Sequence, residues 1–106
     1  MKDEVIFISE GNCLTARLIP EIDHHAAREV RERIDERFLI LKPSRLVLDF
    51  SKVRFMDSSG IALILGRSEL ARSAGASVEI RGLSHTLGKL VRLSGVDRVE
   101  NIRIVG

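Results

Sequence analysis

Two adjacent hydroxyls, Ser58 and Ser59, stand in the run Phe55-Met56-Asp57-Ser58-Ser59-Gly60. The run lies where a buried strand gives way to a helix. Asp and Ser side chains at a helix start accept hydrogen bonds from the unpaired N–H groups of the first turn. A hydroxyl in that place is exposed on a rigid element. A phosphoryl group added there meets free N–H donors and the positive end of the helix dipole. It brings about −1.5 to −2 charges and three acceptor oxygens. Two kinds of chemistry are therefore open to Ser58, capping and modification. Taken alone, the residue types favour the cap. Gly60 permits close backbone approach in the first turn, so an Ala there fits the helix yet could block a partner.

Other constellations fail on pattern. A nucleophile elbow needs Gly-x-Ser-x-Gly, and Asp57-Ser58-Ser59-Gly60 lacks the first glycine. The phosphate-loop pattern ending Gly-Lys-Ser/Thr is absent too. Asp23-His24-His25 invites a metal, but adjacent histidines point different ways on a helix, and no third or fourth ligand lies near in sequence. His85 is distant. One cysteine, Cys13, excludes an internal disulfide and reads as a small buried residue of a strand. The chain reads as a substrate of an enzyme, not as an enzyme, and needs no metal or cofactor.

These residues need elements to hold them. At 106 residues the chain is one domain. Val5–Ile8 reads as a first strand and Cys13–Ile19 as a second, with Leu14, Ala16 and Leu18 on one face. Glu10-Gly11-Asn12 supplies the turn of an antiparallel hairpin. Pro20 and Glu21 end that strand. Asp23 caps a helix to about Leu39, with Ala27, Val30, Ile34 and Phe38 as its apolar stripe. Pro43-Ser44 breaks the chain before a buried strand, Arg45–Phe50.

The second helix runs from about Ser58 to Ser73, and Gly75 suits a left-handed end. Ile61, Ile64 and Leu65 are expected to face the sheet. Ser59, Ala62, Gly66 and Ser73 form a small-residue face. Gly66 costs on the order of 1 kcal/mol against Ala, which either tight packing or a flat docking face could justify. Arg67 adds a polar contact at the rim or is solvated. Ser77–Arg81 alternates as a strand. Ser84 caps a third helix with Leu87, Leu90, Val91 and Ser94 on one face, and Gly95 ends it. Val99–Val105 is a last strand or an irregular extended segment. The fold class is α/β: a mixed, mostly parallel sheet opened by an antiparallel hairpin.

Composition narrows the function. Four Phe and no Trp or Tyr make the core aliphatic and argue against binding single-stranded nucleic acid by stacking. The net charge is only +2, and opposite charges alternate, as in Arg28-Glu29-Val30-Arg31-Glu32-Arg33. No basic set suited to tracking phosphates stands out, so no direct nucleic-acid partner is expected. No apolar run approaches membrane-spanning length, and the N-terminus lacks a signal-peptide pattern. The expected setting is the cytoplasm.

The run from Leu48-Asp49-Phe50 through Asp57-Ser58-Ser59-Gly60 to Leu65-Gly66-Arg67 resembles the signature of the STAS family. That family comprises the anti-sigma factor antagonists and related sulfate-transporter domains. Glu21-Ile22-Asp23-His24-His25 and Leu93-Ser94-Gly95-Val96 are similar to sporulation-type members. The resemblance covers nearly the whole chain and implies one STAS domain over residues 1–106, with helices mainly on one side of the sheet. It implies Ser58 as the phosphorylation site. It also implies a partner surface of Asp23, His24, Asp57, Ser59, Gly60, Ala62, Gly66 and Arg67. Asp57 either orients the Ser58 hydroxyl toward a nucleotide γ-phosphate held by the partner or holds the turn.

The implied partners are an anti-sigma factor with serine kinase activity and a PP2C-type phosphatase. The alternative is a non-switching STAS scaffold of a stress-signalling or transporter-associated complex. Two departures stand out. Pro20 replaces a common glycine. Many members also continue past Val105 into a helix that covers part of the sheet. Without it, apolar surface from Val99, Ile102, Ile104 or Val105 invites a covering partner or a weak homodimer.

Overall fold

The computed structural model describes residues 4–106. Strands β1 (Ile6–Glu10) and β2 (Cys13–Arg17) form the expected hairpin, and Gly11 takes a positive φ of 58° at its turn. A two-residue strand β3 (Glu21–Ile22) leads into helix α1 (His24–Leu41), and β4 (Arg45–Asp49) follows. A second short strand, β5 (Phe55–Met56), leads into α2 (Ser58–Ser73). The chain then continues through β6 (Ser77–Arg81), α3 (His85–Leu93), a 3₁₀ turn at Val96–Arg98 and β7 (Ile102–Val105). The main sheet has the order β1-β2-β4-β6-β7, with only β1–β2 antiparallel.

Alternation along the strands makes the two sheet faces unlike. Leu14, Leu46, Val78 and Ile102 lie in register across β2, β4, β6 and β7, and Ala16, Leu48, Ile80 and Ile104 form the next row. These rows join one core with Val30, Ile34 and Phe38 of α1, Leu63, Ile64 and Ala71 of α2, and Leu87 and Val91 of α3. The helices therefore share one side of the sheet. Residues between those rows point to the other side, where Glu79 is buried and pairs with Arg45 and Arg81. Half-buried Cys13 belongs to that helix-free face too.

The expected elements form, with instructive differences. Glu21 does not end a strand. It begins β3, which pairs in parallel with β5 through Glu21↔Phe55 and Ile22↔Met56. No two-residue strand has enough sequence to show a period. Helix α1 runs two residues past Leu39 and closes on Lys42 in the left-handed region, its N–H donating to Phe38 O. Gly75 takes φ 72° as expected. In α3, Ser84 Oγ accepts from Leu87 N at 3.2 Å, but Leu90 is partly exposed, so the buried stripe is Leu87, Gly88 and Val91. The last strand is confined to Ile102–Val105. Ile102 is buried and Val99, Ile104 and Val105 are half-buried, so part of this apolar surface stays open.

Asp49 ties the carboxyl end of β4 to its surroundings. Its Oδ1 accepts from Ser51 N at 2.9 Å, and its Oδ2 lies 3.6 Å from Arg17 Nε. Burial pushes this carboxyl up, but the Ser51 hydrogen bonds and Arg17 together outweigh it, so the net displacement is downward. A depressed carboxylate stabilises the fold above its unfolded pKa, and that contribution is lost as pH falls through the folded value. Asp49→Asn should therefore cost about 1 kcal/mol at neutral pH. The difference from the parent should shrink as pH falls below about 4, as read from urea unfolding across pH.

Candidate functional site

The β3–β5 pairing brings two helix starts together. Ile22 and Met56 are buried partners, so the residues that follow them, Asp23 and Asp57, emerge side by side. Asp57 N donates to Ile22 O at 3.3 Å across the pair. Each aspartate then caps its helix. Asp23 Oδ1 accepts from Ala26 N, and Asp57 Oδ1 from Ser59 N, both at 2.8 Å. Asp57 thus holds the turn that presents Ser58, the first residue of α2, whose side chain is exposed.

His24, the first residue of α1, reaches across to α2, with its Nδ1 3.4 Å from Ser59 Oγ. Together they open a groove of about 330 Å³ between the helices, lined by His24, Ala27, Arg28, Arg31, Ser59, Ala62 and Leu63. Among the described residues no acidic side chain lines it. Of the expected surface, Asp23, His24, Asp57, Ser59 and Ala62 do gather around Ser58. Arg28 and Arg31 were not singled out by sequence, because in an alternating charge run they look like any solvated helix face. Phe55 was missed as well. It is 52% exposed beside the α2 start, and a lone aromatic before a turn carries no sign of which way it points.

Helix α2 buries Ile64 and packs Ile61 against the core as expected, but Leu65 turns outward. Gly60, Leu63, Ile64, Arg67, Ser68 and Ala71 are buried, Ile61 is half-buried, and Leu65 is 39% exposed. The run from Gly60 to Gly66 carries no polar side chain, so its pattern could not choose a face. Leu65 belongs to the outer side with Ser58 and Ala62.

Two of the expected surface residues serve the interior. A Cβ on Gly60 would sit 2.6 Å from Met56 Sδ and 3.1 Å from Met56 Cβ, so this glycine makes room for the chain's own β5. Arg67 is neither a rim contact nor solvated. It is 6% exposed, with Nε 2.9 Å from Asp35 Oδ1 of α1. The angle falls short of a hydrogen bond, and Arg67 Nη1 is buried without a partner. Burial pushes the Asp35 carboxyl up, against the pull of Arg67 and Arg31, and burial lowers the Arg67 guanidinium despite Asp35. Desolvation outweighs attraction in this pair.

Gly66 is the opposite case. A Cβ there would meet nothing within 4 Å, so tight packing does not explain this glycine and an open outer surface remains.

The STAS domain family matches residues 6–104. The chain belongs to the STAS family. An anti-sigma F factor antagonist of Paenibacillus polymyxa is 33% identical over 86 residues, covering 81% of this chain and 74% of the relative. An anti-sigma-B factor antagonist of Listeria monocytogenes is 28% identical over 85 residues, covering 80% of this chain and 74% of the relative. Among solved structures, the Bacillus cell fate determinant SpoIIAA in its phosphorylated form superposes with a TM-score of 0.73 at 24% identity, covering 97% of this chain and 92% of that one. This last likeness establishes the fold alone. No helix among the described residues is long and apolar enough to cross a membrane.

The two glycines of α2 should part company. Gly66→Ala should raise stability by about 0.5–1 kcal/mol, and Gly60→Ala should lower it by about 1–3 kcal/mol through overpacking against Met56. Thermal unfolding distinguishes them.

The buried pair supplies a second contrast. Asp35→Ala strands a buried guanidinium and should cost about 3 kcal/mol, while the double variant Asp35→Leu/Arg67→Met, which replaces the whole pair, should be close to neutral. Both variants within about 0.5 kcal/mol of the parent in urea unfolding would return Arg67 to the surface.

Proposed function

We propose that the chain is an anti-sigma factor antagonist whose unphosphorylated form binds an anti-sigma factor that is also a serine kinase, so releasing a sigma factor. The observation that carries this reading is Ser58, exposed at the start of α2 within a capped, rigid turn and beside a second helix start. The relatives named as antagonists of anti-sigma F and anti-sigma-B factors support the general role. They differ in the anti-sigma factor named, so in this reading surface side chains on a shared fold set the partner.

In the proposed cycle the kinase transfers the γ-phosphoryl of ATP to Ser58 Oγ. The hydroxyl loses its proton and ADP leaves. The new charge lies at a helix start, where it is tolerated locally, so the domain stays folded and the complex is what is lost. A PP2C-type phosphatase hydrolyses the phosphoserine and restores the binding form. The docking surface in this reading comprises Asp23, His24, Asp57, Ser59, Ala62 and Gly66, extended by Phe55 and Leu65. Gly60 and Arg67 shape it from beneath.

The test begins with a candidate anti-sigma kinase from the same genome. Incubation with ATP should place one phosphate on Ser58, mapped by mass spectrometry and absent from Ser58→Ala. Ser58→Ala should keep full binding and resist release, whereas Ser58→Asp should bind at least tenfold more weakly. Equal binding by the two variants would remove Ser58 from the mechanism.

A further inference from the structure

The groove between α1 and α2 has a charge that the partner-binding reading leaves unused. Its lining carries Arg28, Arg31 and the imidazole of His24, with no carboxylate among the described lining residues. Its floor is apolar, from Ala27, Ala62 and Leu63. Ser59, next to Ser58 in the chain, lines it, and His24 already contacts the Ser59 hydroxyl at 3.4 Å. We infer that this groove is an anion seat for the chain's own modification: a phosphoryl group on Ser58 turns into its mouth and is held by His24 and Arg28. This deepens the proposed function and rests on Ser58 being the modified residue.

The competing charges can be named. Arg28 pairs with Glu32 at 3.7 Å, but both side chains are well exposed, so the pair is weak and readily given up. Arg31 lies where it acts on Asp35 and Arg67, deeper between the helices, and supplies background charge. On α1, Asp23 and His25 flank His24, while His25 lies 3.6 Å from Glu29. From α2 the facing groups are Asp57, whose Oδ1 is engaged by Ser59 N, and the Ser59 hydroxyl itself. From β3 comes exposed Glu21. Arg28 and His24 are thus the groups able to turn toward a phosphoserine, since Asp23 and Asp57 are occupied as caps. A dianionic phosphate would cancel the charge of Arg28 and Arg31. The modified protein would then lose the positive groove as well as gain bulk at Ser58, so phosphorylation would change the surface beyond its own residue.

Phosphoserine can be installed at position 58 during translation, without any kinase, so the seat can be tested even if no kinase modifies Ser58. The phosphorus NMR signal is followed from pH 4 to 9 in the otherwise unaltered phosphoprotein, in its His24→Gln and Arg28→Gln forms, and in a phosphopeptide spanning residues 53–64. Helix-start effects are common to the three proteins, so differences among them report the groove. The expected result is a phosphate titration midpoint lower in the parent than in either variant by at least 0.3 pH unit. A phosphorylation-dependent shift of the His24 ring signals in the parent should accompany it. Equal midpoints in the three folded proteins, with unmoved His24 signals, would overturn the seat and leave the switch at Ser58 standing. Amide spectra of the unmodified variants check that both are folded.

Discussion

A parallel pair of two-residue strands governs the geometry of this molecule. Glu21–Ile22 against Phe55–Met56 is the smallest element of the fold, yet it sets where both long helices begin. With Ile22 and Met56 buried in register, Asp23 and Asp57 must emerge together, and each finds the same task, since a first helical turn leaves its N–H groups unpaired. Two caps side by side bring His24 over Ser59 and open the groove between the helices. Without that pairing Ser58 would still begin a helix. It would have no neighbours from α1, and the groove would have no mouth.

The interior of α2 follows from the same placement. A helix anchored at Met56 and laid beside α1 presents one stripe inward, and Gly60, Leu63, Ile64, Arg67, Ser68 and Ala71 are the residues on it. Gly60 lets the first turn pass over Met56. Arg67 meets Asp35 of α1 in a pair whose desolvation outweighs its attraction, so it gives register between the helices more than stability. Left outward in its first half are Ser58, Ala62 and Leu65, with Gly66 open enough to accept a side chain. The exposed surface of α2 is therefore the remainder after the helix pair has packed.

Much of this was legible in the residues. Turn chemistry at Gly11, the cap at Ser84, the left-handed glycine at 75 and the stripe of α1 each follow from local rules and are each realised. So is the one-sided alternation of Leu14, Ala16 and Leu18. The errors cluster where local rules are silent. Leu65 and Leu63 are both apolar, and a helical run with no polar side chain does not state its inner face. Arg67 looked like a surface cation because a buried guanidinium is rare and its partner Asp35 lies 32 residues away in the chain. Gly60 and Gly66 looked alike, though one is forced by Met56 and the other by nothing inside the domain.

The sequence by itself determined the three helices, most strands of the main sheet, that sheet's alternation and the hydroxyl at a helix start. Each of those depends on residues within a few positions of one another. The tertiary structure decided which helix faces are buried, which glycine is needed, and that α1 supplies the histidine and arginines beside Ser59. Those outcomes depend on pairs such as Ile22 with Met56, His24 with Ser59 and Asp35 with Arg67. Their members are more than thirty residues apart, and no local period or propensity reports a contact at that separation.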